Sequence, residues 1–256
     1  MATGTTIQAS RPSLTSNDSA VLQALFDAES SPSSAVTIDP SLSPFPEYLH
    51  ISASDHESLK ARELSIIRNL QSDNVSMDTI TSAIRDFDAL ITEHPTYPSA
   101  YVNRAQALRM HMEKTADTST DPDEVIFAPG NTEPASRLFS DLGKAISLCT
   151  PRSPADPVST VQARILADSH THRGYLLLKA ARLKKDLDGN GMVGGPDKLR
   201  DLGPDQLEEM ASRDFFFGGR YGNKVAQQLA VQTNPYAKMC GAIVKEALRK
   251  EVEGSI

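Results

Sequence analysis

The sequence has no tryptophan, and aromatic residues make up only 5% of its 256 positions. A β-sandwich or a large α/β enzyme normally builds its core from more aromatic and β-branched side chains, so this scarcity argues against both. Cysteine is nearly absent as well. Cys149 and Cys240 are the only two; they stand far apart and form no CxxC. Neither a disulfide framework nor a structural zinc site is expected, and a reducing compartment is. Positive charge is in deficit, with a formal net charge of −7, which removes the basic footprint a nucleic-acid partner needs. No run of about 18 apolar residues exists to span a membrane, and Met1–Pro12 lacks the apolar stretch of a secretory signal. These absences predict a monomeric cytoplasmic protein, with the nucleus as a second compartment and with no nucleic-acid or membrane partner.

What the chain does have is helical periodicity. Residues 1–18 are rich in Ser and Thr and are expected to be disordered. Residues 19–28 read as a short docking helix, capped by Asn17 or Asp18, with Val21, Leu22, Leu25 and Phe26 on one stripe. Residues 29–57 carry Pro32, Pro40, Pro44 and Pro46 among serines and read as a linker lying extended against the domain. From Ser58 the apolar spacing becomes 3 and 4. Leu59, Leu64, Ile67 and Leu70 mark one helix; Ile80, Ala83, Ile84, Phe87, Leu90 and Ile91 mark the next. His94-Pro95 should stop that second helix, because the residue before proline avoids the α region. Further helices are expected over 98–111, 135–149, 161–185, 204–217 and 223–233. At the end, Asn234 is an N-cap and Pro235 sits at N1. Tyr236, Met239, Cys240, Ile243, Val244 and Ala247 then follow on one face, which reads as a capping helix over 234–251. No strand is expected beyond residue 58, so the fold class is all-α.

The helices fall into pairs with a recurring pattern. Ala83-x3-Phe87 followed by Pro95 supplies a small residue for close helix approach, an aromatic to fill the gap to the next pair, and a stop. Tyr101-x2-Arg104-Ala105-x2-Leu108 and Leu138-x3-Leu142 with Ala145 make a second unit. His170-x2-Arg173-Gly174-x2-Leu177 and Ala211-x3-Phe215 make a third. This is the spacing of a degenerate tetratricopeptide (TPR) repeat. The architecture predicted is a TPR-like α-solenoid of about three hairpins over 58–233, closed by the capping helix. Insertions at 110–134 and 184–204 interrupt the period. Loops of that length are tolerable because closure entropy grows slowly, by about 0.6 kcal/mol per doubling.

Three segments are similar to the tetratricopeptide repeat protein 36 family: Asn17–Asp27, Ala100–Ala107, and Asp214–Cys240 with its Asn234-Pro235-Tyr236-Ala237. The resemblance implies a non-enzymatic three-TPR protein linked to tyrosine catabolism through protein–protein contacts, with no catalytic residues to carry over. The two insertions depart from the family's compact form.

Candidate sites follow from the repeat. First helices of TPR hairpins line a concave groove, which places Asn103, Gln106, Arg109, Asp168, His172 and Tyr175 there for a protein or peptide partner. The carboxylate clamp used on chaperone tails is incomplete, since Asp168 and His172 occupy the basic slots of the third unit. Asp186-Leu187-Asp188-Gly189-Asn190-Gly191-x5-Asp197 resembles an EF-hand loop, with Asp186, Asp188, Asn190 and Asp197 as ligands. It has Asp at the last position where a bidentate Glu is required, and no second hand. The reading preferred is a Gly-rich linker with no metal or cofactor; the alternative is a calcium-responsive regulator. Gly218-Gly219-Arg220 lacks the GK[ST] of a phosphate loop and reads as close packing at a helix end. His170 and His172 lie on different helical faces and make no metal set. No GxSxG, HExxH or Cys/His pairing is present, so no enzymatic activity is expected.

Overall fold

A computed structural model of the chain describes residues 36–72, 74–116, 122–186 and 194–234. The described residues belong to one compact unit, Val36–Ile256; a second unit, Met1–Ala35, lies outside them. Outside them too fall the expected disordered N-terminus and docking helix, Asp188 and Asn190 of the EF-hand-like loop, and the capping helix beyond Asn234.

Among the described residues seven long helices carry the fold: α1 (Ala53–Leu70), α2 (Met77–Glu93), α3 (Pro98–Thr115), α4 (Thr132–Cys149), α5 (Thr160–Asp186), α6 (Pro204–Arg220) and α7 (Lys224–Thr233). The described residues are all-α, relieved only by an isolated parallel bridge between Ile38 and Val158. Local chemistry sets the helix starts. Ser52 and Asp55 form a reciprocal capping box that starts α1 at Ala53, earlier than the apolar periodicity suggests. Ser76 accepts from the Thr79 amide, and Asn223 from the Ala226 amide. Pro98 and Pro204 occupy first-turn positions where their missing N–H costs nothing. α2 ends at Glu93, before His94-Pro95, as the sequence requires.

Each long helix packs on the next in chain order, and α3 also meets α5 directly. Lys185, late in α5, pairs with Glu208, early in α6, whereas His170, early in α5, stacks near Tyr221 just past the end of α6. The two helices are therefore antiparallel. The small and aromatic positions of the recurring pattern form the core. Ala83, Phe87, Ala105, Leu142, Ala145, Ala211 and Phe215 are buried, as is Gly174, whose missing Cβ would lie 3.0 Å from the Phe215 ring. Gly218 plays the packing part expected of it: a Cβ there would stand 2.7 Å from the Thr171 hydroxyl and 3.1 Å from the Ala226 methyl.

The segments that break the period contribute to this core. Val125, Ile126 and Phe127 are buried in the same cluster as Leu199. A Cβ on Gly194 would strike the Ala128 carbonyl, so backbone from the two insertions is in direct contact. The buried Lys184 ammonium donates to the Arg200 and Leu202 carbonyls, each at 2.6 Å, tying α5 to the second insertion. The Pro-rich stretch before α1 is also docked. Phe45 and Leu49 are buried, Phe45 meets His56 and Tyr97 edge-on, and Tyr48 donates to the Leu148 carbonyl.

Candidate functional site

α5 presents different residues to α3 and to α6. His172 and Tyr175 face α3, where the Arg109 guanidinium lies 5.9 Å from the Tyr175 ring and is tied to Glu113 at 2.7 Å. The Nε2 atom of His172 is buried and has no hydrogen-bond partner. Burial, with the nearby Arg109 charge, lowers its pKa to about 4. Asp168 is half-exposed, yet the surrounding walls hold its carboxyl above the usual range against the pull of Arg164. Gln106 is exposed on α3. Asn103 serves a different junction: its amide donates at 2.6 Å to the buried Glu63 of α1, which also accepts from the Tyr97 hydroxyl at 2.8 Å. Of the groove residues read from the sequence, Arg109, His172 and Tyr175 are thus brought together, and Asn103 joins α1 to α3.

The neutral His172 has a consequence for stability. An unfolded histidine takes up its proton near pH 6.5, whereas the folded one waits until about 4. The folded state therefore loses stability as pH falls through that window, by on the order of 3 kcal/mol. His172→Gln, which cannot protonate, should flatten the difference in melting temperature between pH 7 and pH 4.5 relative to wild type. An unchanged pH profile would contradict this assignment.

A second arrangement recurs from hairpin to hairpin, and it was not anticipated from the sequence. Arg104 of α3 makes a bidentate pair with Asp141 of α4, at 2.8 and 2.6 Å. Arg173 of α5 makes the same pair with Asp214 of α6, at 2.7 Å twice. Arg104 and Arg173 each precede the small residue of their first helix. Asp141 and Asp214 each precede the large apolar residue of their second. In the first hairpin Asp86 holds the corresponding place before Phe87, but no arginine of α1 precedes a small residue. There Arg62 turns to Glu93 and feels Asp86 only through its charge. The clue in the sequence was an aspartate before Phe87, Leu142 and Phe215 alike.

The pairs differ in their surroundings. Burial is the largest influence on Asp141 and holds its carboxyl above the usual range despite Arg104. Burial also pushes Asp214 up, but Arg173 and His170 outweigh it and the carboxyl lies below its ordinary range. His170 Nδ1 lies 2.8 Å from Asp214, and its ring stacks at 5.3 Å on Phe217. These groups border a cleft of about 1030 Å³ between α4, α5 and α6, lined also by Phe139, Met210 and Arg213. As the sequence suggests, His170 and His172 diverge: one faces this cleft, the other faces α3.

Among the described residues no group of His, Cys, Asp or Glu is arranged to hold a metal. Asp186 closes α5, and Asp197 opens a single turn in which it pairs with Arg200. No helix among the described residues is long and apolar enough to cross a membrane.

Fold and sites together define a protein that is all-helical among the described residues, whose helices pack in chain order and whose second and third hairpins each hold an Arg–Asp pair. The chain is 92% identical over 256 residues, covering 100% of both sequences, to an Aspergillus fumigatus protein named L-tyrosine degradation gene cluster protein hmgX. It belongs to the hmgX family of tyrosine-degradation cluster proteins. No protein-family model matches the chain, and no solved structure does. The tetratricopeptide resemblance therefore has no counterpart in these comparisons.

Proposed function

We propose that the protein is a non-enzymatic adaptor of tyrosine degradation: a degenerate TPR-like stack of three hairpins that holds a protein or peptide segment on the face shared by α1, α3 and α5. The observation that carries this reading is the Arg–Asp pair repeated at equivalent positions of successive hairpins. A repeat in chemistry as well as in spacing is what a solenoid of related units gives. First helices of neighbouring hairpins also meet, through Asn103 and Glu63 and through Arg109 and Tyr175. Gln106, Arg109, Asp168 and His172 are the contacts offered to the partner. The tyrosine-degradation assignment rests on the name of the near-identical Aspergillus relative.

The test separates an adaptor from an enzyme. Purified protein is incubated with tyrosine and its catabolites, and separately with each purified enzyme of tyrosine degradation. The expected result is no turnover by the chain alone and saturable binding to one of the enzymes at micromolar concentration or below. Turnover of any catabolite by the chain alone would overturn the proposal.

A further inference from the structure

The repeat makes one position conspicuous by what it lacks. In the second hairpin Arg104 holds two carboxylates: Asp141 of its own hairpin and, at 2.9 Å, Asp88 of the preceding helix pair. Arg137 also pairs with Asp88 and closes that junction. Asp88 follows Phe87; its equivalent one hairpin on follows Leu142 and is Gly143. Arg137 precedes Leu138; its equivalent precedes Ala211 and is Met210. Arg173 therefore has its Asp214 but no second carboxylate. Its Nη1 donates to no acceptor among the described residues and stands 3.9 Å from where a Cβ of Gly143 would be. Where the previous hairpin has a filled ionic junction, Arg173 and Met210 here line an open cleft, and Gly143 stands beside the free edge of Arg173.

We propose that this cleft binds a carboxylate carried on an aromatic group, with the ligand's carboxylate on Arg173 taking the place that Asp88 holds beside Arg104. The surroundings suit such a ligand. Arg173 is 28% exposed at its side chain, so its free edge is reachable. Its orientation is fixed by the buried Asp214, which preorganises the fork for a planar anion. Arg213 and Lys198 add positive charge, whereas Asp197 is occupied by Arg200 and Asp214 by Arg173. Phe139 and Phe217 supply apolar walls, with the Phe217 ring backed by His170 and approached by Arg213 at 5.9 Å. A mostly apolar cleft with one oriented guanidinium is how small aromatic acids are commonly held. The inference concerns a site apart from the α1–α3–α5 face and does not depend on the adaptor reading.

The test uses full-length protein and phenylacetate as the probe, followed by saturation-transfer NMR, with benzylamine as the oppositely charged control. Wild type should bind phenylacetate saturably and ignore benzylamine. Gly143→Asp restores the missing carboxylate and should weaken phenylacetate at least about tenfold while leaving the melting temperature unchanged or raised. Ser140→Asp, on the exposed wall of the same cleft, should weaken it as well. A second arm compares phenylacetate with a dipeptide ending in free phenylalanine, whose amide is the uncharged control and should not bind. Tighter binding of the free acid than of phenylacetate assigns the carboxylate to a chain terminus, and weaker binding assigns it to a small molecule; either supports the site. Absence of saturable phenylacetate binding, or equal binding by wild type and Gly143→Asp, would overturn the proposal.

Discussion

Asp141→Ala should destabilise the protein by about 3–5 kcal/mol, the range seen when one partner of a buried ion pair is removed. The Asp141 and Arg104 side chains are only 4% and 10% exposed. Removing the carboxylate leaves the Nε and Nη2 donors of Arg104 unpaired inside the protein, with Asp88 engaging only Nη1. Asp214→Ala should behave alike in the next hairpin, since it orphans Arg173 and His170 together. Asp86→Ala is the matched control. It occupies the equivalent place in the first hairpin but is exposed, so its cost should stay within about 0.5 kcal/mol. Denaturant midpoints for the three variants measure this. Equal effects at Asp86 and Asp141 would mean that the pairs are not buried as described.

Removing residues 234–256 should be at least as damaging. The end of a stacked helical array exposes the apolar face of its last pair, and a terminal element must cover it. Tyr236, Met239, Cys240, Ile243, Val244 and Ala247 recur on one face at helical spacing, behind the Asn234-Pro235 start signal. On α7, which precedes them, Leu229 and Ala230 pack against the core. Burial of one large apolar side chain is worth about 1.5–3 kcal/mol, so losing several such contacts rivals the whole stability of a domain. The truncated protein should aggregate or melt far below wild type, whereas Lys250→Ala should change little. A soluble truncation with unchanged melting would make this segment a free tail.

Much of the fold was legible in the sequence because one physical rule set it. Apolar spacing of 3 and 4 placed the seven long helices among the described residues, and the residues assigned to close helix contacts are buried. The starts that spacing missed were set by polar chemistry. α1 begins at Ala53 because Ser52 and Asp55 cap each other, although no apolar stripe reaches that far. The insertions broke the period and so read as loops, yet Val125, Ile126 and Phe127 lie in the core. A short apolar run has no period to announce its burial.

The site was less legible. Arg109 lies near both His172 and Tyr175, because residues 3 apart on α5 share a face. Asn103 does not join them, because Glu63 lies across from it on α1. The Arg–Asp pairs were hidden for a different reason. A charged residue next to a core position looks like an ordinary solvated neighbour until the partner helix is in place. Gly143 gave still less warning, since its meaning lies in what the equivalent Asp88 does one hairpin earlier.

The adaptor claim is tested most directly by amide hydrogen exchange on the full-length protein, with and without whichever tyrosine-degradation enzyme binds it. New protection should concentrate in α3 and α5 around Gln106, Arg109, Asp168 and His172. Binding should also be lost in an Arg109→Glu, Asp168→Lys double variant that keeps its wild-type melting temperature. Protection confined to the α4–α6 side, with binding unaffected by the double variant, would contradict it.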